Sequence, residues 1–249
     1  VTLHYERFGD GPLPVLFLHG GWGYDLYPID AQIAALGPIC SVFVPWRAGY
    51  GTSPPVERFA ENFHQTAARD MVAFLEERGI REAVVWGHSD GAVIAAWMGI
   101  FEPERVKGVI LESFHLTACK PHSTAFFERA LETPEALTEA TRAVLRSEHG
   151  DDWHHVVRRN SDVWLRMAQS RRGDDLFAGR LAELRAPALV VHGLDDPRTE
   201  PGEIQRAIER LPNATAQLFE TGKHCPHAHS KTSAAVSRAL RTFVEGLRE

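Results

Sequence analysis

Three residue types, far apart in this chain, make up the parts of a nucleophilic catalyst. Ser89 stands in Gly87-His88-Ser89-Asp90-Gly91, Asp195 and Asp196 follow the apolar run 188–191, and His224 and His227 follow the run 214–219. A serine hydroxyl is a weak nucleophile unless a base lies within hydrogen-bond reach and a third group orients that base. The acyl transfer it performs also needs N–H donors aimed at the oxygen that becomes negative. The glycine-serine-glycine pattern addresses the first and last of these needs. It lies between the β-branched run 83–86 and the apolar, helix-like run 92–98, the context of a nucleophile elbow. A reversal within about one residue strains the serine backbone and leaves no room for side chains at its flanks, which Gly87 and Gly91 provide. The hydroxyl then sits at a helix N-terminus, where free N–H groups and the dipole favour negative charge. Glycines beside a serine also mark ordinary turns, and so short a pattern recurs by chance. The strand before and helix after it separate the two readings.

The elements that must position these residues alternate along the chain. Strand-like runs are read at 2–8, 15–18, 40–44, 83–86, 106–111, 188–191 and 214–219. Helical spacing covers 30–36, 62–78, 92–98, 203–211 and 231–247. Strand–helix alternation predicts an α/β fold with a doubly wound, mostly parallel sheet. Ligands of such sheets bind beyond the C-terminal ends of the strands, where Ser89, the aspartates and the histidines all fall. The glycine-rich loop His19-Gly20-Gly21-Trp22-Gly23 also follows a buried strand; it reads either as a plain connector or as a place where N–H groups converge near Ser89. From His115 to about Arg185 the rhythm breaks into helical stretches at 121–131, 134–148, 151–169 and 174–184. This predicts a helical cap over 115–185 inserted into a core formed by 1–114 and 186–249. Trp153, Val156, Val157, Trp164 and Met167 read as the core of that lobe, and Arg166, Arg171 and Arg172 as a solvated face.

Composition excludes several classes of function. With 33 acidic against 27 basic residues and a net charge of −6, spread without blocks, nothing suits nucleic acid or an anionic membrane surface. No apolar run reaches the roughly 18 to 20 residues that span a bilayer, and no charged-then-apolar leader opens the chain. Cys40, Cys119 and Cys225 are sparse and odd in number, which fits a reducing cytoplasm better than a disulfide framework. His224, Cys225 and His227 lack the spacing and further ligands of a zinc site. The expectation is therefore a cytoplasmic protein with a small-molecule substrate and no cofactor or metal, with monomer and homodimer both open.

Four motifs together resemble the α/β-hydrolase superfamily, in its serine branch with a helical cap, over nearly the whole chain. They are His19-Gly20-Gly21-Trp22, Gly87-His88-Ser89-Asp90-Gly91, His192-Gly193-Leu194-Asp195-Asp196-Pro197 and Gly222-Lys223-His224-Cys225-Pro226-His227. The resemblance implies a Ser89, Asp196, His224 triad, in the order serine, acid, histidine. It favours Asp196 over Asp195 as the residue before Pro197, and leaves Glu112, the acid site of some relatives, as an alternative. It implies an oxyanion hole of the Asp90 and Gly21 N–H groups, with Trp22 as the second choice after Gly21. His227 and His229 then read as surface or lid contacts, and Trp22, His88, Asp90 and Trp164 as candidate substrate contacts. Many relatives carry an acid and an arginine after the third strand where this chain has Trp46 and Ala48, a change expected to touch loop packing more than chemistry. A serine at position 89 excludes the branches with an aspartate nucleophile. The implied activity is hydrolysis of a small carboxylic ester or lactone through an acyl-enzyme. Carbon–carbon bond hydrolysis, a proline-iminopeptidase-like activity and a non-catalytic binding protein on the same fold are the rivals. The Asp90 carboxylate suggests an amino-acid ester whose ammonium it would meet, or else simply complements the helix N-terminus.

Overall fold

A computed structural model describes residues 2–170 and 175–248. Its elements in chain order are β1 Tyr5–Phe8, β2 Leu13–Leu18, α1 Asp30–Leu36, β3 Cys40–Pro45, α2 Phe63–Glu77, β4 Ala83–His88, α3 Asp90–Phe101 and β5 Val106–Glu112. Then follow α4 Pro121–Glu132, α5 Glu139–His149, α6 Trp153–Ser170, β6 Ala188–Gly193, α7 Glu203–Arg210, β7 Ala214–Phe219 and α8 Ser233–Gly246. The strands form one seven-stranded sheet in the order β1-β3-β2-β4-β5-β6-β7. Of the described strands β1 alone is antiparallel, pairing Tyr5 with Pro45 and Phe8 with Val42. The chain starts its parallel part at β2, steps outward to β3, then crosses back to β4 on the other side. Right-handed crossovers in opposite directions put their helices on opposite faces, and α1 packs on α8 while α2 packs on α3. The reversal at β2 opens a crevice between the ends of β2 and β4, where such sheets bind ligands.

The central strands are buried on both faces, which explains their unbroken apolar runs. All six residues of β4 and all six of β6 are buried. Helix α3 is buried nearly all round, with only Phe101 reaching partial exposure; this is why its sequence is apolar without an amphipathic stripe. Trp86 and Trp97 are the largest side chains sealed in this core.

The segment between β5 and β6 is helical, but its detail departs from the sequence reading. The stretch read as one helix over 134–148 is split: Pro134–Ala136 forms a single 3₁₀ turn, and α5 restarts after Thr138. The Thr138 hydroxyl accepts from the Thr141 N–H at 3.2 Å, an N-cap that the sequence carries but periodicity does not register. The stretch read as helix over 174–184 holds only a 3₁₀ turn at Arg180–Glu183. There the Asp175 carboxylate accepts the N–H groups of Phe177 and Gly179, a local turn that competes with helix formation. Arg171, Arg172 and Asp174 lie outside the described residues. Arg166, read as a solvated residue, bonds Asp162 at 2.9 Å and the Phe59 carbonyl at 2.5 Å. Trp153 and Val157 form a small apolar cluster with Ala130 and Leu145, whereas Val156, Trp164 and Met167, on other faces of α6, join the main core. Helix α6 thus belongs to both layers. The end of α5 is tied down as well: the buried Glu148 carboxylate accepts from Trp46 Nε1 at 2.7 Å and from the Tyr24 and Asp25 N–H groups. No described helix is long and apolar enough to cross a membrane.

Candidate active site

Ser89 sits between β4 and α3 with φ 55° and ψ −118°, a region that side-chain-bearing residues seldom occupy. The flanking glycines are required by contact. A Cβ on Gly87 would lie 2.0 Å from the Gly91 carbonyl oxygen, and one on Gly91 would lie 1.9 Å from the Leu18 carbonyl oxygen. The strained turn is held by its neighbour strand, since the Ser89 N–H donates to the Glu112 carbonyl at 2.9 Å.

The three sequence-predicted residues meet at this turn. Ser89 Oγ lies 3.0 Å from His224 Nε2, and His224 Nδ1 lies 2.9 Å from Asp196 Oδ2. Asp196 is buried, and its Oδ1 accepts the Arg198 N–H at 2.8 Å. Burial alone would raise its carboxyl; the adjacent His224 and that N–H hold it well below the usual carboxylate range instead. An ionised Asp196 must accept, so Nδ1 of His224 carries a proton and Nε2 is left to accept from the Ser89 hydroxyl. The alternative acids point elsewhere. Asp195 accepts from the Lys223 N–H and pairs with Lys223 Nζ. Glu112 bonds His227 at 2.9 Å, not His224, and its other oxygen accepts from Trp86 Nε1. His227, expected as a surface or lid contact, is instead sealed beside Glu112 with neither side chain exposed. Burial opposes both charges, yet each partner outweighs it: Glu112 is held low and His227 high.

The lining of the cleft at Ser89 includes Gly21, Trp22, Tyr27, Asp90, Trp164 and Arg198. Its glycine loop is fixed from behind. Arg47 donates to the Gly20 carbonyl at 2.7 Å and Tyr50 OH to the Gly21 carbonyl at 2.8 Å. Arg47 is the residue between the two altered positions, Trp46 and Ala48, and it is buried. Trp46 meanwhile bonds Glu148, so the substitution redirects packing toward α5. Trp22 stacks on Phe126 of α4 at 5.2 Å. His88 also lines the cleft, but its Nε2–H donates to the His224 carbonyl at 2.8 Å, and burial drives its ring down to about 3. It props the loop that carries His224.

Asp90 shows what the sequence leaves ambiguous. Its N–H, at the first position of α3, has no intrahelical acceptor. Its carboxylate is buried and already supplied with donors: Asn160 Nδ2 at 2.8 Å, Trp164 Nε1 at 2.9 Å, and His64 Nε2 at 3.2 Å. Burial would raise this carboxyl, but those partners, His64 foremost, lower it to about 2. The sequence reading offers the carboxylate a substrate ammonium; in the structure α2 and α6 occupy it. Trp164 accordingly lines the cleft and braces Asp90 at once.

A second histidine at the nucleophile escapes sequence reasoning. His115 Nε2 lies 3.4 Å from Ser89 Oγ, and its ring stacks on His224 with centroids 5.5 Å apart. Its Nδ1 lies 2.8 Å from Lys120 Nζ, which in turn pairs with Glu203 at 3.3 Å. Burial lowers the His115 ring, and the Lys120 charge lowers it further. An ammonium has no lone pair to offer, so Nδ1 accepts from Lys120 and the single ring proton resides on Nε2, facing Ser89. Lys120 and Glu203 are both buried, and Glu203 also accepts the Leu116 N–H at 2.9 Å. The signal in the sequence is a lysine at i+5 from a histidine just past a buried strand, too common to read without the fold. Among the described residues no three His, Cys, Asp or Glu side chains converge as metal ligands, and all three cysteines are free.

Comparison with known proteins agrees with this architecture. Residues 15–236 match the sequence model of the alpha/beta hydrolase family. The chain is 22% identical to the serine hydrolase BPHL of Mus musculus over 251 residues, 98% of this chain and 84% of that protein. It is 25% identical to 3-oxoadipate enol-lactonase 2 of Acinetobacter baylyi over 233 residues, covering 88% of this chain and 85% of that one. Among solved structures, a thermophilic esterase from Thermogutta terrifontis superposes with a TM-score of 0.76 at 20% identity, over 99% of this chain and 94% of the other. With the family matched across most of its length and its strand order and elbow in place, the chain belongs to the alpha/beta hydrolase family.

Proposed function

We propose that this hydrolase cleaves a small carboxylic ester or lactone by acyl transfer through Ser89. The observation that carries the reading is the unbroken chain Ser89 Oγ, His224, Asp196 at 3.0 and 2.9 Å on a strained elbow. His224 takes the Ser89 proton as Oγ attacks the carbonyl carbon, and then gives it to the departing alcohol. Asp196 holds the imidazole in the tautomer that can accept and stabilises its charged form. The N–H groups of Asp90 and Gly21 receive the oxyanion, each such donor being worth about 3 kcal/mol. His115 adds a second imidazole at Oγ, a donor that stabilises negative charge on that atom as it attacks and as it leaves. Water activated by His224 then releases the acid and restores Ser89. The esterase and lactonase among the relatives support the ester and lactone class. A pure binding protein on this fold would have no need of all three triad members.

The test is hydrolysis of 4-nitrophenyl acetate and butyrate together with labelling by a fluorophosphonate. Ser89→Ala is expected to lower kcat by about 10⁴-fold or more and to abolish the label. Turnover that survives the substitution overturns the assignment, and a wild-type protein that neither labels nor hydrolyses supports the binding reading.

A further inference from the structure

The cleft beside Ser89 holds two charged side chains of opposite sign, and only one of them has its hydrogen bonds filled. Asp90 is engaged by His64, Asn160 and Trp164. Arg198, two residues past the triad acid, lines the same cleft but directs no guanidinium hydrogen bond to any described residue, and no carboxylate oxygen comes within ion-pair distance of it among them. Its guanidinium lies instead over aromatic rings, with Cζ 3.1 Å from the centroid of Phe126 and 5.4 Å from that of Phe127. Asp196, two residues before it, has its oxygens taken by His224 Nδ1 and by the backbone N–H of Arg198 itself. Burial lowers the guanidinium to about 10, with Tyr27 and Asp196 opposing that shift, so it stays charged at neutral pH.

An arginine presents five N–H donors in a rigid fork that matches a carboxylate bidentately. Leaving that fork unfilled in a partly buried cleft costs free energy that an aromatic face only partly offsets. The arrangement makes sense when a ligand completes it. We infer that Arg198 is an anion subsite of the catalytic cleft, and that the substrate is an ester or lactone bearing a free carboxylate. A singly charged carboxylate suits one guanidinium; a dianionic phosphate would bring surplus negative charge against Asp196 and Asp90. The surrounding Trp22, Phe126, Phe127 and Trp164 then cover the hydrocarbon that joins the carboxylate to the scissile carbonyl. This places the substrate charge opposite to that of an amino-acid ester. The inference rests on reading the cleft as that of an ester hydrolase, and its test separates the two.

Two probe pairs report on the anion. One sets 4-nitrophenyl hemiglutarate against 4-nitrophenyl valerate, with the charge on the acyl side. The other sets 4-carboxyphenyl butyrate against phenyl butyrate, with the charge on the leaving group. In at least one pair the wild-type protein is expected to favour the charged ester in kcat/KM by tenfold or more. Arg198→Met, which keeps a long apolar stem against Phe126, should lower that ratio by about 10- to 100-fold, the range for charge-assisted hydrogen bonds. Arg198→Lys, with a point charge in place of a fork, should give an intermediate ratio and carries the test should the methionine variant not fold. A neutral preference in both pairs, or a charged preference that survives Arg198→Met, overturns the inference while leaving ester hydrolysis intact. Calorimetric binding of glutarate to Ser89→Ala protein, with and without Arg198→Met, decides the anion subsite even if no ester is turned over. Tenfold weaker binding in the double variant supports it, and equal or absent binding refutes it.

Discussion

Replacing His115 with phenylalanine isolates the second imidazole at the nucleophile. The ring stacked on His224 and edge-on to Trp164 is kept, while the Nε2–H facing Ser89 Oγ is removed. The resting distance of 3.4 Å is long for an N–H···O bond, so little is lost from the ground state. Such bonds tighten when charge develops. A well-placed donor to an oxyanion is worth about 3 kcal/mol, and an ordinary neutral hydrogen bond about 1 kcal/mol. The long starting geometry puts His115 between these, at roughly 1–2 kcal/mol, which is about a 5- to 30-fold loss in rate. Because the proposed mechanism makes Oγ the nucleophile in acylation and the leaving atom in deacylation, both steps should slow. Stopped-flow bursts with 4-nitrophenyl butyrate read the two separately. Lys120 also loses its Nδ1 acceptor and, among the described residues, keeps Glu203 at 3.3 Å, so a stability loss of about 1–3 kcal/mol should accompany the change. A properly folded variant with both rate constants within twofold of wild type would refute the role. So would a change confined to KM.

The remaining predictions concern folding and pH. Gly91→Ala puts a methyl 1.9 Å from the Leu18 carbonyl oxygen, so the elbow cannot close against β2; soluble yield and thermal melting should fall sharply, and a protein melting within a few degrees of wild type would contradict the packing argument. Glu148 is 2% exposed, and burial pushes its carboxyl from 4.5 up to about 7 despite the Tyr24, Asp25 and Trp46 donors. A carboxyl raised in the folded state favours folding fully below its unfolded value and loses that contribution as pH climbs through the folded one. Wild-type stability should therefore decline between about pH 4.5 and pH 7 by up to about 3 kcal/mol from this group. Urea denaturation of Glu148→Met should lack that portion of the slope, and parallel pH curves for the two proteins would count against it.

The proposed catalytic frame was legible because each part combines a residue type with a strand end. Ser89, Asp196 and His224 each follow a short apolar run, and parallel strands deliver such loops to one edge of the sheet. The elbow glycines announce a contact that only a missing Cβ can satisfy. What periodicity misses is chemistry made by side chains from unrelated elements. Lys120 and Glu203 are 83 residues apart, and nothing local marks either as buried. The misread helices fail for a related reason: Thr138 and Asp175 bond their own backbone, which interrupts apolar spacing without altering it. His227 was misjudged because a histidine in a polar loop reads as exposed, whereas its partner Glu112 closes a strand from beneath.

Asp90 and Arg198 together show why charge in a cleft has to be counted by hydrogen bonds rather than by sign. Each sits within two residues of a member of the proposed triad, and from sequence the carboxylate beside Ser89 is the more suggestive of the pair. In the fold that carboxylate is consumed by Asn160 and Trp164 of α6 and by His64 of α2. The residue that follows the nucleophile thereby does two things with different atoms. Its N–H stands at the helix start without an intrahelical acceptor, where the proposed mechanism uses it, while its side chain anchors the helices that wall the cleft. A substrate ammonium would have to displace at least one of those donors and leave it buried without a partner, at a cost of about 1–3 kcal/mol. Arg198 imposes no such exchange, since it lines the cleft with no acceptor among the described residues to give up. The direction of selectivity proposed for the cleft thus follows from which of the two charges the fold has already neutralised.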